Sequence, residues 1–228
     1  MQNFNTFFVL SNINTVHTKF SPDQRFIQTI ETFESILDRA PGSKVVFTDN
    51  SENPLTPQQI SIISRYCDLV VEAERNLYTR HVNTLGKNKG INELLVYQQT
   101  LAATIKNNLV GRRIFKISGR YKLTGDFNIL EYNKPQYYGK YAFKIVPWVY
   151  NEGNGNFVKH FFNTALWSMC STLVEHYNDL MYTMFNYMLT TGENIEMAHN
   201  KYITADRLHL VSTLGGDGFI TNGEYTKF

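Results

Sequence analysis

Phe7-Phe8-Val9-Leu10-Ser11-Asn12 and Lys44-Val45-Val46-Phe47-Thr48-Asp49-Asn50 are two compact apolar runs that each break off into small polar residues, and the segment joining them sets the architecture. Short runs of this kind, rich in β-branched and aromatic side chains, read as buried strands. Between them Ser21-Pro22-Asp23 starts a helix: Ser21 can cap the first free amides, Pro22 suits the first helical position and Asp23 favours the positive end. Phe26, Ile30, Phe33 and Leu37 recur at helical spacing until Ala40-Pro41-Gly42-Ser43 stops the pattern. Thr56-Pro57-Gln58-Gln59 repeats the cap-plus-proline start for a second helix carrying Ile60, Ile63 and Tyr66, and Leu69-Val70-Val71 forms a third strand. Strand and helix alternating over crossovers this short force a parallel sheet. The chain is therefore expected to be α/β, with a mostly parallel, Rossmann-like central sheet flanked by helices. Ligands of such sheets sit beyond the carboxyl ends of the strands, where Ser11-Asn12 and Thr48-Asp49-Asn50 stand.

Further along, Ile114-Phe115-Lys116-Ile117-Ser118-Gly119-Arg120-Tyr121-Lys122-Leu123 is an apolar strand that runs into a small, cationic, aromatic cluster. Ser118-Gly119 lets the backbone turn and come close to a ligand. Lys116, Arg120 and Tyr121 then offer two cations and a ring. An arginine fork meets phosphate at two points and a lysine adds a point charge, so the cluster suits a phosphorylated ligand. The plain alternative is a surface turn with solvated charges. Ahead of it, Gly86-Lys87-Asn88-Lys89-Gly90-Ile91-Asn92-Glu93 leads into an apolar-periodic helix from Leu94 to Ile105. A helix start with lysines beside it can hold an anion, although the pattern is neither a Walker loop nor a dinucleotide fingerprint, and a solvated turn would look the same.

Composition narrows the classes. At 228 residues and 43% hydrophobic content the chain has material for a sizeable core and reads as one domain, 1–228. A net charge of +2, with acids and bases mixed, leaves no electrostatic footprint for nucleic acid, so phosphate recognition has to be local. Two distant cysteines, Cys67 and Cys170, suit a reducing compartment and argue against a disulfide scaffold or zinc site. No basic start with an apolar core precedes residue 7 and no apolar run is long enough to span a bilayer, so a cytoplasmic location is expected. High Asn and Tyr content with few prolines points to an AT-rich genome such as a virus's, which would make the location host cytoplasm.

The second half changes texture. Asn133 to Val149 is aromatic, Asn151 to Asn156 is a turn-rich break, Phe161 to Trp167 reads as a strand and Ser171 to Leu189 as a long helix. Asp206 to Thr213 reads as a returning strand, and Gly215-Gly216-Asp217-Gly218 as a tight loop. Aromatic rings stack on sugars or bases but more often fill cores; Trp148 and Trp167 are the candidates for an acceptor surface. Glu193 and Glu196 stand three residues apart, on one face if the segment is helical. The histidines do not cluster, so His176 and His199 read as packing or surface residues.

The order of these features resembles a nucleotide-sugar glycosyltransferase of the GT-A type, in particular the divergent viral, phage and bacterial surface-polysaccharide set; the likeness spans about residues 7 to 203. It implies a nucleotide-sugar-binding half over 1–130 and an acceptor-side half over 131–228. By it, Ser11, Asn12, Thr48, Asp49, Asn50, Lys89, Asn92, Lys116, Ser118, Gly119, Arg120 and Tyr121 would hold the nucleotide-diphosphate sugar. Trp148 and Trp167 would meet a glycan or other hydroxyl acceptor, and Glu196, with Glu193 second, would take the acceptor proton. One departure stands out: the family's Asp-x-Asp, which holds a divalent cation, is replaced by Ser118-Gly119-Arg120-Tyr121. Either Lys116 and Arg120 neutralise the diphosphate directly, or another acid brings in Mn²⁺ or Mg²⁺; the first is favoured, because cations can stabilise a departing diphosphate. The reading of a different class is a non-catalytic nucleotide-sugar or glycan binder.

Overall fold

The computed structural model describes residues 2–15, 19–73, 89–152, 155–219 and 224–228; of 148–152, 155–159 and 219 it describes the backbone only. In chain order the elements are β1 (Thr6–Ser11), α1 (Pro22–Arg39), β2 (Lys44–Asp49), α2 (Pro57–Ile63), β3 (Leu69–Glu72), α3 (Lys89–Lys106), β4 (Arg113–Ser118) and β5 (Tyr121–Leu123). The second half adds β6 (Tyr141–Phe143), β7 (Ile145–Glu152), β8 (Gly155–Phe162), β9 (Leu166–Cys170), α4 (Val174–Thr191), α5 (Ile195–Tyr202), β10 (Leu208–Leu210), β11 (Gly216–Phe219) and β12 (Tyr225–Lys227).

The expected parallel half forms. β1 lies between β2 and β4, parallel to both, and β2 pairs with β3, so four strands run side by side with their carboxyl ends at one edge. The sheet continues through β9, β6 and β10 to seven strands among the described residues; β9 alone runs against its neighbours. Both faces of β1 are apolar, which is why its sequence shows no alternation. Phe8 and Leu10 join a core with α3, α4 and α5, whereas Phe7 and Val9 join a core with α1 and α2.

Local chemistry explains the helix starts. Ser21 and Thr56 each accept the N3 amide while Gln24 and Gln59 reach back to the cap amides, so both capping boxes close, with Pro22 and Pro57 just inside. Beside the apolar stripe of α1 runs a hydroxyl stripe that docks the helix on the strand end: Thr29 donates to the Gly119 carbonyl at 3.0 Å, Thr32 to the Tyr121 carbonyl at 2.7 Å, and Ser35 accepts the Leu123 amide at 2.9 Å.

Several boundaries differ from expectation. The 161–167 run is split, because Asn163-Thr164-Ala165 breaks it into the end of β8 and the start of β9. The glycine-rich stretch at 215–218 is not a loop: β11 is the middle strand of a small antiparallel sheet with β5 and β12. Its glycines allow close passage, since a Cβ at Gly218 would lie 2.4 Å from the Arg120 carbonyl oxygen.

Candidate functional site

At the carboxyl edge of β1 and β4 lies a cleft of about 520 Å³. Ser11, Asn12 and Asn50, from the polar ends of β1 and β2, line one side. Ser118, Gly119 and Arg120 form the end of the central strand, and Arg25 of α1 stands beside them. Across the cleft are Lys89, Asn92 and Glu93 from the first turns of α3, and Asn194 and Glu196 at the start of α5. Residues 86–88 of the glycine- and lysine-rich stretch lie outside the described residues. Gly90 has a packing reason: its Cβ would come within 2.9 Å of the Ile195 amide nitrogen, so glycine lets α3 and α5 meet at the cleft.

Two of the predicted polar residues act as scaffold. Asp49 is fully buried and accepts from the Ile13 amide at 3.1 Å, the Ser51 amide at 3.0 Å and the Ser51 hydroxyl at 2.7 Å, tying together the turns that follow β1 and β2. Thr48 is also fully buried, with its hydroxyl 2.7 Å from that of Thr100. Neither lines the cleft.

The cationic end is built on close backbone contact. The Gly119 amide donates to the Leu10 carbonyl at 2.8 Å, and a Cβ at Gly119 would lie 2.7 Å from that of Ser11. Arg120 lies over the ring of Tyr121, 5.1 Å from its centroid; Tyr121 itself packs edge-on against Phe228 in the core and supports the guanidinium from below. Arg25 is buried, with its guanidinium 5.1 Å from the Phe20 ring centroid. Its pKa is lowered to about 10, first by burial and then by the like charge of Arg120.

Lys116 departs from the sequence-based expectation. Only 1% exposed, its ammonium ion-pairs with Glu93 and donates to the Thr164 carbonyl at 2.7 Å and the Ser118 hydroxyl at 3.1 Å. A buried ammonium needs such partners, and with them its charge is committed beneath the cleft rather than offered to a ligand. Thr164 also donates its hydroxyl to a Glu196 carboxylate oxygen at 2.7 Å, so Glu93, Lys116, Thr164 and Glu196 form one network. The Glu196 pKa is raised, first by burial and next by the Glu93 charge, with Thr164 and Lys116 acting the other way.

Glu193 and Glu196 do not share a helix face. Asn194 caps α5 by accepting the Met197 amide at 2.9 Å, which leaves Glu193 before the helix and outside the cleft lining. Trp167 is a core residue, 2% exposed and stacked between Phe143 and Tyr97 at 5.1 and 5.3 Å. The Trp148 side chain lies outside the described residues. His199 is fully buried and hydrogen-bonded, as a packing residue should be, whereas His176 is 2.8 Å from the Tyr141 hydroxyl.

Among the described residues no three or more His, Cys, Asp or Glu side chains gather to hold a metal. The strand end presents Ser118, Gly119 and Arg120, and the acids that line the cleft are Glu52, Glu93 and Glu196, of which Glu93 is paired with Lys116 and Glu196 hydrogen-bonded to Thr164. At the strand end itself the described residues offer no paired carboxylates, whereas Mn²⁺ or Mg²⁺ takes several oxygen ligands at once.

Sequence reading passed over Arg25, Glu93 and Thr164. Arg25 had a signal: it heads the polar stripe Arg25, Thr29, Thr32 beside the apolar face of α1. Glu93 and Thr164 carried none, because nothing in a sequence says which acid meets a buried lysine.

No protein-family model matches the chain, and no curated protein matches it in sequence. Solved structures do match its fold. Core-mannan synthase A from Aspergillus fumigatus, in a Mn/GDP form, aligns with a TM-score of 0.54 at 9% identity, over 92% of this chain and 73% of that one. A glycosyltransferase involved in glycosylation of the major capsid of PBCV-1 aligns at 0.47 and 12% identity, over 90% and 81% of the two chains. The 4-diphosphocytidyl-2C-methyl-D-erythritol synthase of Anaerococcus prevotii gives 0.48 at 8%, over 91% and 86%. The chain thus has a GT-A-like fold, as the order of its sequence features implied.

Proposed function

We propose that this protein transfers a sugar from a nucleotide-diphosphate donor to a hydroxyl of a glycan or other acceptor, and that donor binding needs no metal. The observation that carries this reading is the polarity of one cleft: a guanidinium at the end of the central strand, and a half-buried carboxylate, Glu196, on the opposite wall. Ser11, Asn12 and Asn50 would hydrogen-bond the nucleoside, with Lys89 and Asn92 of α3 contributing from the same cleft lining. Arg120 would stabilise charge that grows on the diphosphate as the sugar–oxygen bond breaks. Glu196, ionised, would accept the acceptor hydroxyl's proton as that oxygen bonds the anomeric carbon. Its raised pKa makes it a better base, when ionised, than an ordinary carboxylate.

The experiment is release of nucleoside diphosphate from a panel of nucleotide sugars, measured in EDTA with and without hydroxyl acceptors. Release that an acceptor accelerates is the expected result. Donors that bind yet are never turned over with any acceptor would make the protein a binder rather than a transferase. A strict requirement for Mn²⁺ or Mg²⁺ would overturn the metal-free part alone.

A further inference from the structure

We propose that Arg25, on α1, and Arg120, at the end of the central strand, form a paired-guanidinium seat for a diphosphate, and that this seat binds inorganic pyrophosphate with no metal present. The assignment rests on the transferase reading for the rest of the ligand, a nucleoside on one side and a sugar on the other, but the seat has its own observations.

Arg25 is 7% exposed and lines the cleft, yet its Nε is buried with no hydrogen-bond partner among the described residues. A guanidinium that deep is costly unless its donors and charge are met. The charged neighbour that acts on it with like sign is Arg120, which lines the same cleft. An anion between them relieves both the repulsion and the missing hydrogen bond. Two planar forks set together suit two adjacent tetrahedral anionic groups better than one carboxylate.

The pair is also fixed in place. The Thr29 hydroxyl lies 2.9 Å from the Arg25 carbonyl and 3.0 Å from that of Gly119, so the helical turn carrying Arg25 is fastened to the residue before Arg120. Phe20 and Tyr121 rings support one guanidinium each. Lys116, the other cation near this strand end, is committed to Glu93. Arg25 thus supplies the second charge that a departing diphosphate needs.

The test is calorimetric titration of sodium pyrophosphate in EDTA into wild type, Arg25→Gln, Arg25→Lys and Arg120→Gln, with melting curves for each protein. Wild type should bind one pyrophosphate in a salt-sensitive manner, and each Gln variant should bind at least about tenfold more weakly. Arg25→Lys, which keeps the charge and most of the volume, should also lose affinity, because the two-point geometry is gone; it decides the matter if Arg25→Gln does not fold. No binding to wild type, or unchanged affinity in the folded Arg25 variants, would overturn the seat. The two readings separate cleanly. Pyrophosphate binding that depends on Arg25, with no nucleotide sugar bound or turned over, keeps the seat and refutes the transferase; turnover indifferent to Arg25 does the reverse.

Discussion

At the scale of single residues, the site is an argument about where charge is spent. From sequence, Lys116 and Arg120 look alike, two cations on one strand end. Burial tells them apart: Lys116 shares its strand face with Ile114, so its stem lies in the core and its charge must be met there, by Glu93. Glu196 was reached through its spacing from Glu193 and through resemblance. Glu196→Gln should keep donor affinity and lower turnover by about 10²-fold or more, measured as steady-state nucleoside diphosphate release. Its raised pKa also fixes the sign of a pH effect. The base must be ionised, so activity should fall with decreasing pH below that pKa, at a higher pH than an unperturbed carboxylate would give. Glu93→Gln removes the like charge on Glu196 and leaves Lys116 nearby unpaired; both changes favour ionised Glu196, so the acid limb of the kcat/KM profile should move to lower pH. A limb that moves upward or stays put would deny that these groups are coupled.

At the scale of elements, helix starts and parallel strands were readable because each has local chemistry: capping boxes, prolines and apolar runs. The direction of β9 was not, since it follows from what pairs across the sheet rather than from its own residues. The two-acid helix face failed for a similarly local reason, Asn194 being the better cap. The helix α5 also carries a pH-dependent liability. His199 Nδ1 donates to the Ile195 carbonyl at 2.8 Å and Nε2 accepts from the Tyr177 hydroxyl at 2.7 Å, so the ring is held neutral. Burial lowers its pKa to about 4, against an ordinary value of 6.5. The unfolded chain therefore binds the proton first, and stability should fall as pH drops from about 6.5 towards 4, by on the order of 3 kcal/mol. Urea titrations across that range should show the loss, and His199→Gln, though less stable at neutral pH, should show a flatter dependence. Parallel pH profiles for the two proteins would remove His199 as the cause.

At the scale of the molecule, seven strands bring polar ends from β1, β2 and β4 to one edge, and helices from both halves close on it. No helix among the described residues is long and apolar enough to cross a membrane. The alternation of strands and helices up to residue 123 was enough to foresee this edge, because short right-handed crossovers leave one arrangement. Of the second-half residues, Glu196 comes to the cleft through the packing of α5, and the Thr164 that holds it, in the break between β8 and β9, was not readable. At this scale a bound donor should stabilise the whole fold: a nucleotide sugar at about a hundredfold excess over its Kd adds about 2.7 kcal/mol, visible as a higher Tm in EDTA. The most direct measurement is calorimetric titration of wild type and Arg120→Ala with nucleotide-diphosphate sugars in EDTA. At least one donor should bind wild type and bind the folded variant about tenfold or more weakly. Failure of every donor to bind folded wild type, or equal affinity in the two proteins, would contradict the assignment of this cleft.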